Sequence, residues 1–307
     1  MQRFINFKKS KGNFFVDADG NVVLDLNCSL PLGYARDSMI NARDSAIYDR
    51  FLQGKVDVGS VPPSDYSDLL RENVMPVAPA GTAQVTLADG SATAANELAI
   101  SAALETYASA HNRSAATLSV LGFENGSHGQ SVATLSCSDR AVSGNSGPTL
   151  DWPIAPLPKL KLPYAAHERA NQEEEQRCLD AAREIVEERR ADSQDVGAMI
   201  IEPVSSYGNY AAAPSFYKSL RRLAREEGIP FIVNETKTGT GQTGKMWGHE
   251  HWYLQDRDGG APDLVTFGGK AGISGYYSTL DFRQGGSADQ TVDMVKLLNF
   301  GVTWREI

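Results

Sequence analysis

Cysteine is scarce in this chain: three in 307 residues, at Cys28, Cys137 and Cys178. The number is odd, the positions are far apart and no pair has metal-ligand spacing. Neither a disulfide framework nor a metal centre is expected. A reducing compartment and three small buried hydrophobes fit this usage. Basic residues are outnumbered, 29 Lys and Arg against 38 Asp and Glu, giving a net charge of −9 and a pI near 5.1. That balance argues against nucleic acid as a partner, which asks for a basic face. No apolar run approaches bilayer-spanning length, so a soluble chain without membrane insertion is expected. The amino-terminal Met1-Gln2-Arg3-Phe4 lacks the apolar stretch of a secretory signal. No complete Walker-type motif is present, which leaves a generic nucleotide-binding protein with little support. No internal repeat is visible.

What is present is 41% hydrophobic content, enough for one large core. Residues 11–26 read as a β-hairpin around an Asp-Gly-Asn turn. Residues 36–53 read as a helix, and Val61-Pro62-Pro63-Ser64 punctuates the chain before another. Strands and helices then alternate. Strands are expected at 83–88, 116–123, 196–202, 230–234 and 264–267, and helices at 95–110, 171–190 and 215–227. Such alternation predicts an α/β fold, a mostly parallel sheet with helices on both faces and ligands beyond the carboxyl ends of its strands. A Gly/Ser/Gln stretch follows residue 283, then a short helix at 291–298. The domain reading is an N-terminal segment over 1–60, a large domain over 61–283 and a tail over 284–307.

Three strand ends carry suggestive chemistry. Asp89-Gly90-Ser91 leads from a strand into a helix, and a helix amino terminus with a nearby hydroxyl can cradle a phosphate. A buried run ends in Asn234-Glu235-Thr236-Lys237, followed by a Gly-rich loop. A third strand ends in Gly268-Gly269-Lys270, where a partly desolvated lysine could form an imine with an aldehyde. Each motif alone is compatible with ordinary turn chemistry, a capping asparagine or a surface lysine.

Their order, together with Phe7-Lys8-Lys9-Ser10-Lys11-Gly12-Asn13-Phe14, Asp151-Trp152-Pro153-Ile154-Ala155-Pro156, Glu202-Pro203 and Trp247-Gly248-His249-Glu250-His251-Trp252, resembles the class-III aminotransferases. Within that family the likeness is to eukaryotic 4-aminobutyrate transaminases, from Met1 to about Arg283. The resemblance implies the large domain of a fold-type-I pyridoxal-phosphate-dependent transferase, with the C-terminal small domain missing. It implies pyridoxal 5'-phosphate as cofactor, transfer of an amino group from an ω-amino acid to 2-oxoglutarate, a homodimer, and the mitochondrial matrix (otherwise the cytoplasm). By resemblance, Lys270 is the catalytic imine lysine. Gly90 and Ser91 form the phosphate turn, and Thr303 matches the residue that reaches a partner's cofactor phosphate.

Several matched positions depart from the family. Asn234 stands where an aspartate pairs with the pyridine nitrogen. Ser127, before His128, stands where an aromatic ring stacks on the cofactor. Lys237 replaces a glutamine near the phenolic oxygen, and Thr236 replaces an apolar residue against the ring. On the substrate side, Gln130 replaces a carboxylate-binding arginine and Tyr207 a glutamate near Glu202, and the loop at Asn27-Cys28-Ser29-Leu30 is shortened. A neutral amide at Asn234 cannot hold a ring cation electrostatically, and one at Gln130 loses a bidentate charge-assisted contact. The expectation is an aminotransferase by descent with weakened turnover. The alternative is a degenerate homologue serving as a scaffold subunit of a larger assembly.

Overall fold

The computed structural model describes residues 4–6, 8–25, 66–88, 91–144, 147–208, 210–268 and 273–282. The expected helices at 36–53 and 291–298, the loop at 27–30, and Gly90, Lys270 and Thr303 lie outside them.

The hairpin forms where the alternation placed it. Strands β1 (Phe14–Val16) and β2 (Val22–Leu24) pair antiparallel, with Phe14 opposite Leu24 and Val16 opposite Val22. Asp17 closes the turn, its Oδ1 accepting the backbone N–H groups of Asp19 at 3.0 Å and Asn21 at 2.8 Å. Gly20, at φ +87°, supplies the left-handed residue the reversal needs.

The main sheet has seven strands: β3 (Gln84–Ala88), β4 (Ser119–Phe123), β5 (Ile154–Ala155), β6 (Val196–Ile201), β7 (Phe231–Asn234), β8 (Leu264–Phe267) and β9 (Ser274–Ser278). Their order across the sheet is β3-β9-β8-β7-β6-β4-β5. Strand β9 alone runs against its neighbours, and the remaining pairings are parallel. Strand β9 is not among the strands expected from sequence. Gly275 is required by close approach: a Cβ there would lie 2.2 Å from the Thr86 carbonyl oxygen.

Burial explains the unbroken apolar runs. Every residue of β4, β6, β7, β8 and β9 is buried, as expected for strands covered on both faces. The period-2 pleat sorts their side chains into two cores. On one face, Val120, Ala198, Ile200, Ile232, Leu264 and Tyr276 pack with Ala99, Ile100, Ala102 and Ala103 of helix α1, counted from the main sheet onward (Ala92–His111). On the other face, Leu121, Met199, Ile201, Phe231, Val233 and Tyr277 meet two helices, α2 (Glu168–Ala191) and α3 (Pro214–Glu226). Alanines along α1 let it sit close to the sheet, where Gly197 makes room for Leu104.

Helix α1 begins three residues before the expected 95 because Ser91 caps it, its hydroxyl accepting the Ala94 N–H at 3.0 Å. A bidentate ion pair between a buried arginine and a partly buried aspartate joins α3 to the sheet. Arg221, 2% exposed, donates to Asp263 at 2.7 and 2.9 Å, and Asp263 also accepts the Phe231 N–H at 2.8 Å. The Trp-x-His-Glu-His-Trp string is part of the packing. Trp247 is buried and donates to the Val77 carbonyl at 2.8 Å, while Trp252 stacks on Tyr217 at 4.1 Å. Cys137 and Cys178 are buried free thiols, as expected of small core residues.

Candidate functional site

Six strands deliver their carboxyl ends to one edge of the sheet: β3, β4, β5, β6, β7 and β8. The amino terminus of α1 and the segments after Phe123, Ile201 and Asn234 gather there. The structure brings Ser127, His128, Glu202, Asn234 and Lys237 into one hydrogen-bonded network.

Asn234 is at its centre and 1% exposed. Its Nδ2 lies 3.3 Å from the Ser127 carbonyl oxygen and 3.0 Å from His128 Nδ1. Its Oδ1 accepts the Thr236 N–H at 3.1 Å and the Thr236 hydroxyl at 2.6 Å. A backbone carbonyl can only accept and a backbone N–H can only donate, so these two groups fix which end of the amide is nitrogen. His128 Nδ1 must therefore accept, and the neutral ring carries its proton on Nε2. Both amide hydrogens and both oxygen lone pairs of Asn234 are thereby engaged.

His128 is 2% exposed, and burial, followed by the Lys237 charge, lowers its pKa to about 3. Its Nε2 is a buried nitrogen with no hydrogen-bond partner among the described residues. Two further bonds hold its backbone: its N–H donates to Ser138 Oγ at 2.9 Å, and its carbonyl accepts Asn96 Nδ2 at 2.7 Å. Asn96 Oδ1 in turn accepts the Thr266 hydroxyl at 2.6 Å.

Glu202 forms the second cluster. One carboxylate oxygen accepts the N–H groups of Ser127 at 3.0 Å and Ser206 at 3.1 Å, and the other accepts the Ser206 hydroxyl at 2.5 Å. Lys237 bonds the same hydroxyl and lies 3.8 Å from Glu202 Oε1. Burial raises the Glu202 pKa, with Lys237 and the hydrogen bonds opposing it. Lys237 is half exposed and is the only lysine or arginine in segments 124–131, 202–208 and 235–240.

The other residues singled out from sequence lie around these clusters. Tyr207 is half-buried, its N–H on the Asn125 carbonyl at 3.0 Å. Gln130 is exposed, its N–H 3.3 Å from Thr93 Oγ1 in the first turn of α1, beside Ser91. Sequence reasoning missed Asn96, Ser138, Ser206 and Thr266. Two had a signal: Asn96 is a polar residue within an alanine-rich helix, and Thr266 interrupts the apolar run Leu264-Val265-Thr266-Phe267.

A family model described as aminotransferase class-III matches residues 1–305. A 4-aminobutyrate aminotransferase of Dictyostelium discoideum is 35% identical over 305 residues, covering 91% of this chain and 60% of that protein. The mitochondrial 4-aminobutyrate aminotransferase of Sus scrofa is 33% identical over 304 residues, with the same coverage, 91% and 60%. The chain thus spans about 60% of the length of the curated relatives it matches. Among solved structures, a lysine aminotransferase from M. tuberculosis in the internal aldimine form superposes with a TM-score of 0.82 at 21% identity. That match covers 99% of this chain and 72% of the other.

Class-III aminotransferases depend on pyridoxal phosphate. The strand-end site fits that group at one end only. The amino terminus of the 20-residue helix α1, capped by Ser91, suits a phosphate. The ring end does not fit a protonated pyridine nitrogen, because Asn234 is neutral and has no free lone pair to offer. With a family model matched over nearly its whole length, the chain belongs to the class-III aminotransferases.

Proposed function

We propose that this chain captures pyridoxal phosphate as a divergent aminotransferase of the 4-aminobutyrate:2-oxoglutarate type, with transamination much slower than the family's chemistry allows. The observation that carries this reading is the closed hydrogen-bond shell of Asn234. In this reading Lys270 supplies the amine that holds the cofactor, and Gly90 and Ser91 receive its phosphate. Ser127, His128, Asn234 and Lys237 surround the ring. Thr303 serves the phosphate of a partner copy in a homodimer. Gln130, Tyr207 and Glu202 face the substrate. When bound, pyridoxal phosphate supplies a carbonyl that takes up an amine and a ring that withdraws electrons from the substrate carbon. The chain's own contribution at the ring is weak, since a saturated neutral amide offers no fixed negative charge to a ring cation. The family expectation for compartment is the mitochondrial matrix, and the Sus scrofa relative is named mitochondrial.

The same observation supports a second reading, a catalytically degenerate scaffold subunit. Titrating the purified chain with pyridoxal phosphate separates the two. The aminotransferase reading expects a visible absorbance band that Lys270→Ala abolishes and that 4-aminobutyrate bleaches slowly. A wild-type chain without a Lys270-dependent band would leave only the scaffold. Light scattering checks the homodimer, and a monomer would remove Thr303 from any role.

A further inference from the structure

We propose that Asn96, with Thr266, is a positioning residue that holds His128 as a neutral, Nε2-protonated ring against Asn234. The proton assignments run without a gap. Asn96 Nδ2 must donate, because its partner at 2.7 Å is the His128 carbonyl oxygen. Asn96 Oδ1 must then accept, so the single hydroxyl hydrogen of Thr266 points to it at 2.6 Å. That hydrogen is unavailable to Asn234 Oδ1, which lies 3.5 Å from the Thr266 oxygen, and Asn234 accepts instead from Thr236. The Asn234 Nδ2 hydrogens are left for Ser127 and His128. Helix α1, strand β8 and the segment after β4 are thus joined by one buried side chain. Asn96, Asn234 and Thr266 are each no more than 1% exposed, so water cannot substitute for a lost partner without entering the core.

Among the described residues, the charged groups facing His128 from neighbouring segments are Glu202 and Lys237, both outside this relay. Glu202 Oε2 and His128 Nε2 both border the space beside Gly126, where a Cβ would lie 3.9 and 3.3 Å from them. The Asn234 bond decides which ring nitrogen presents a hydrogen on that side, and the relay holds the His128 backbone, and the ring with it, against that amide.

The test uses the full chain labelled with 15N-histidine, without cofactor, so failure of cofactor capture would not affect it. Long-range 1H–15N correlation distinguishes the two neutral tautomers from the imidazolium, and His128→Gln assigns the signals. Wild type is expected to show one neutral Nε2-protonated ring for His128, unchanged between about pH 8 and pH 5. Asn96→Asp keeps the Thr266 bond and loses the donor to His128. Thr266→Val removes only the hydroxyl at nearly constant shape. Both are expected to lose the single-tautomer signature and give a ring that titrates, while Thr266→Ser retains the wild-type pattern. A folded Thr266→Val or Asn96→Asp chain with an unchanged His128 spectrum overturns the proposal. So does a wild-type ring protonated on Nδ1.

Discussion

Asn234 Nδ2 lies 3.0 Å from His128 Nδ1, and the amide is the donor in that bond. Ser127 O and Thr236 N leave the amide no other orientation. The tautomer of the histidine thus follows from two backbone atoms, one on each side of the site.

Replacing Asn234 with aspartate reverses that bond. A carboxylate cannot donate, so His128 Nδ1 must carry a hydrogen and the ring gains an anionic neighbour. Its pKa is expected to rise from about 3 toward its ordinary range. The carboxylate also faces the Ser127 carbonyl oxygen, so stability is expected to fall by about 1–3 kcal/mol. With cofactor present, the restored charge is expected to speed the 4-aminobutyrate half-reaction by roughly 10²-fold. Stopped-flow absorbance measures the rate, and an unchanged value would sink the argument from Asn234.

Glu202 gives a pH signature. Its folded-state pKa lies above the ordinary 4.5. The folded chain therefore holds this proton more tightly than the unfolded chain. Its stabilising contribution is full below that ordinary value and is lost as pH rises through the folded pKa. Urea midpoints measured from below pH 4.5 upward are expected to fall for wild type relative to Glu202→Gln, which has no carboxyl to ionise. Parallel midpoint curves for the two proteins would contradict the burial argument.

The Arg221–Asp263 pair holds α3 to the sheet through two bonds of 2.7 and 2.9 Å. Arg221→Met leaves the Asp263 carboxylate with only the Phe231 N–H, and a loss of about 3–5 kcal/mol is expected. Adding Asp263→Asn removes the stranded charge, and coupling of at least ~1 kcal/mol is expected in denaturant unfolding. Strict additivity of the two changes would rule out this account.

Ser91 serves both helix and ligand in the proposed reading. Ser91→Ala removes the cap on α1 and is expected to cost about 1 kcal/mol, with Ser91→Gly costing a few tenths. Pyridoxal phosphate titrations are expected to show weaker capture for both variants, because each lacks the hydroxyl. Equal affinity in all three proteins would assign Ser91 to the helix alone.

Much of the fold was legible because its strands carry the sequence signature of two-sided burial. The runs at 196–201, 231–234 and 264–267 are apolar on both faces, and the turns between them are marked by glycine and proline. Strand β9 was not legible, because its serines and glycine imitate a turn and only the closeness of the Thr86 backbone shows why Gly275 stands there. The strand-end positions could also be located, since order and spacing alone put Glu202, Asn234 and the Gly268-Gly269-Lys270 string after successive strands. Sequence by itself determined the residue types at the site, including the loss of a carboxylate at Asn234. Only the tertiary structure decided what that amide does. Its partners come from segments more than a hundred residues away in Ser127 and His128, and two residues away in Thr236. Hydrogen-bond direction depends on which donors and acceptors folding brings within about 3 Å, and linear order does not encode that.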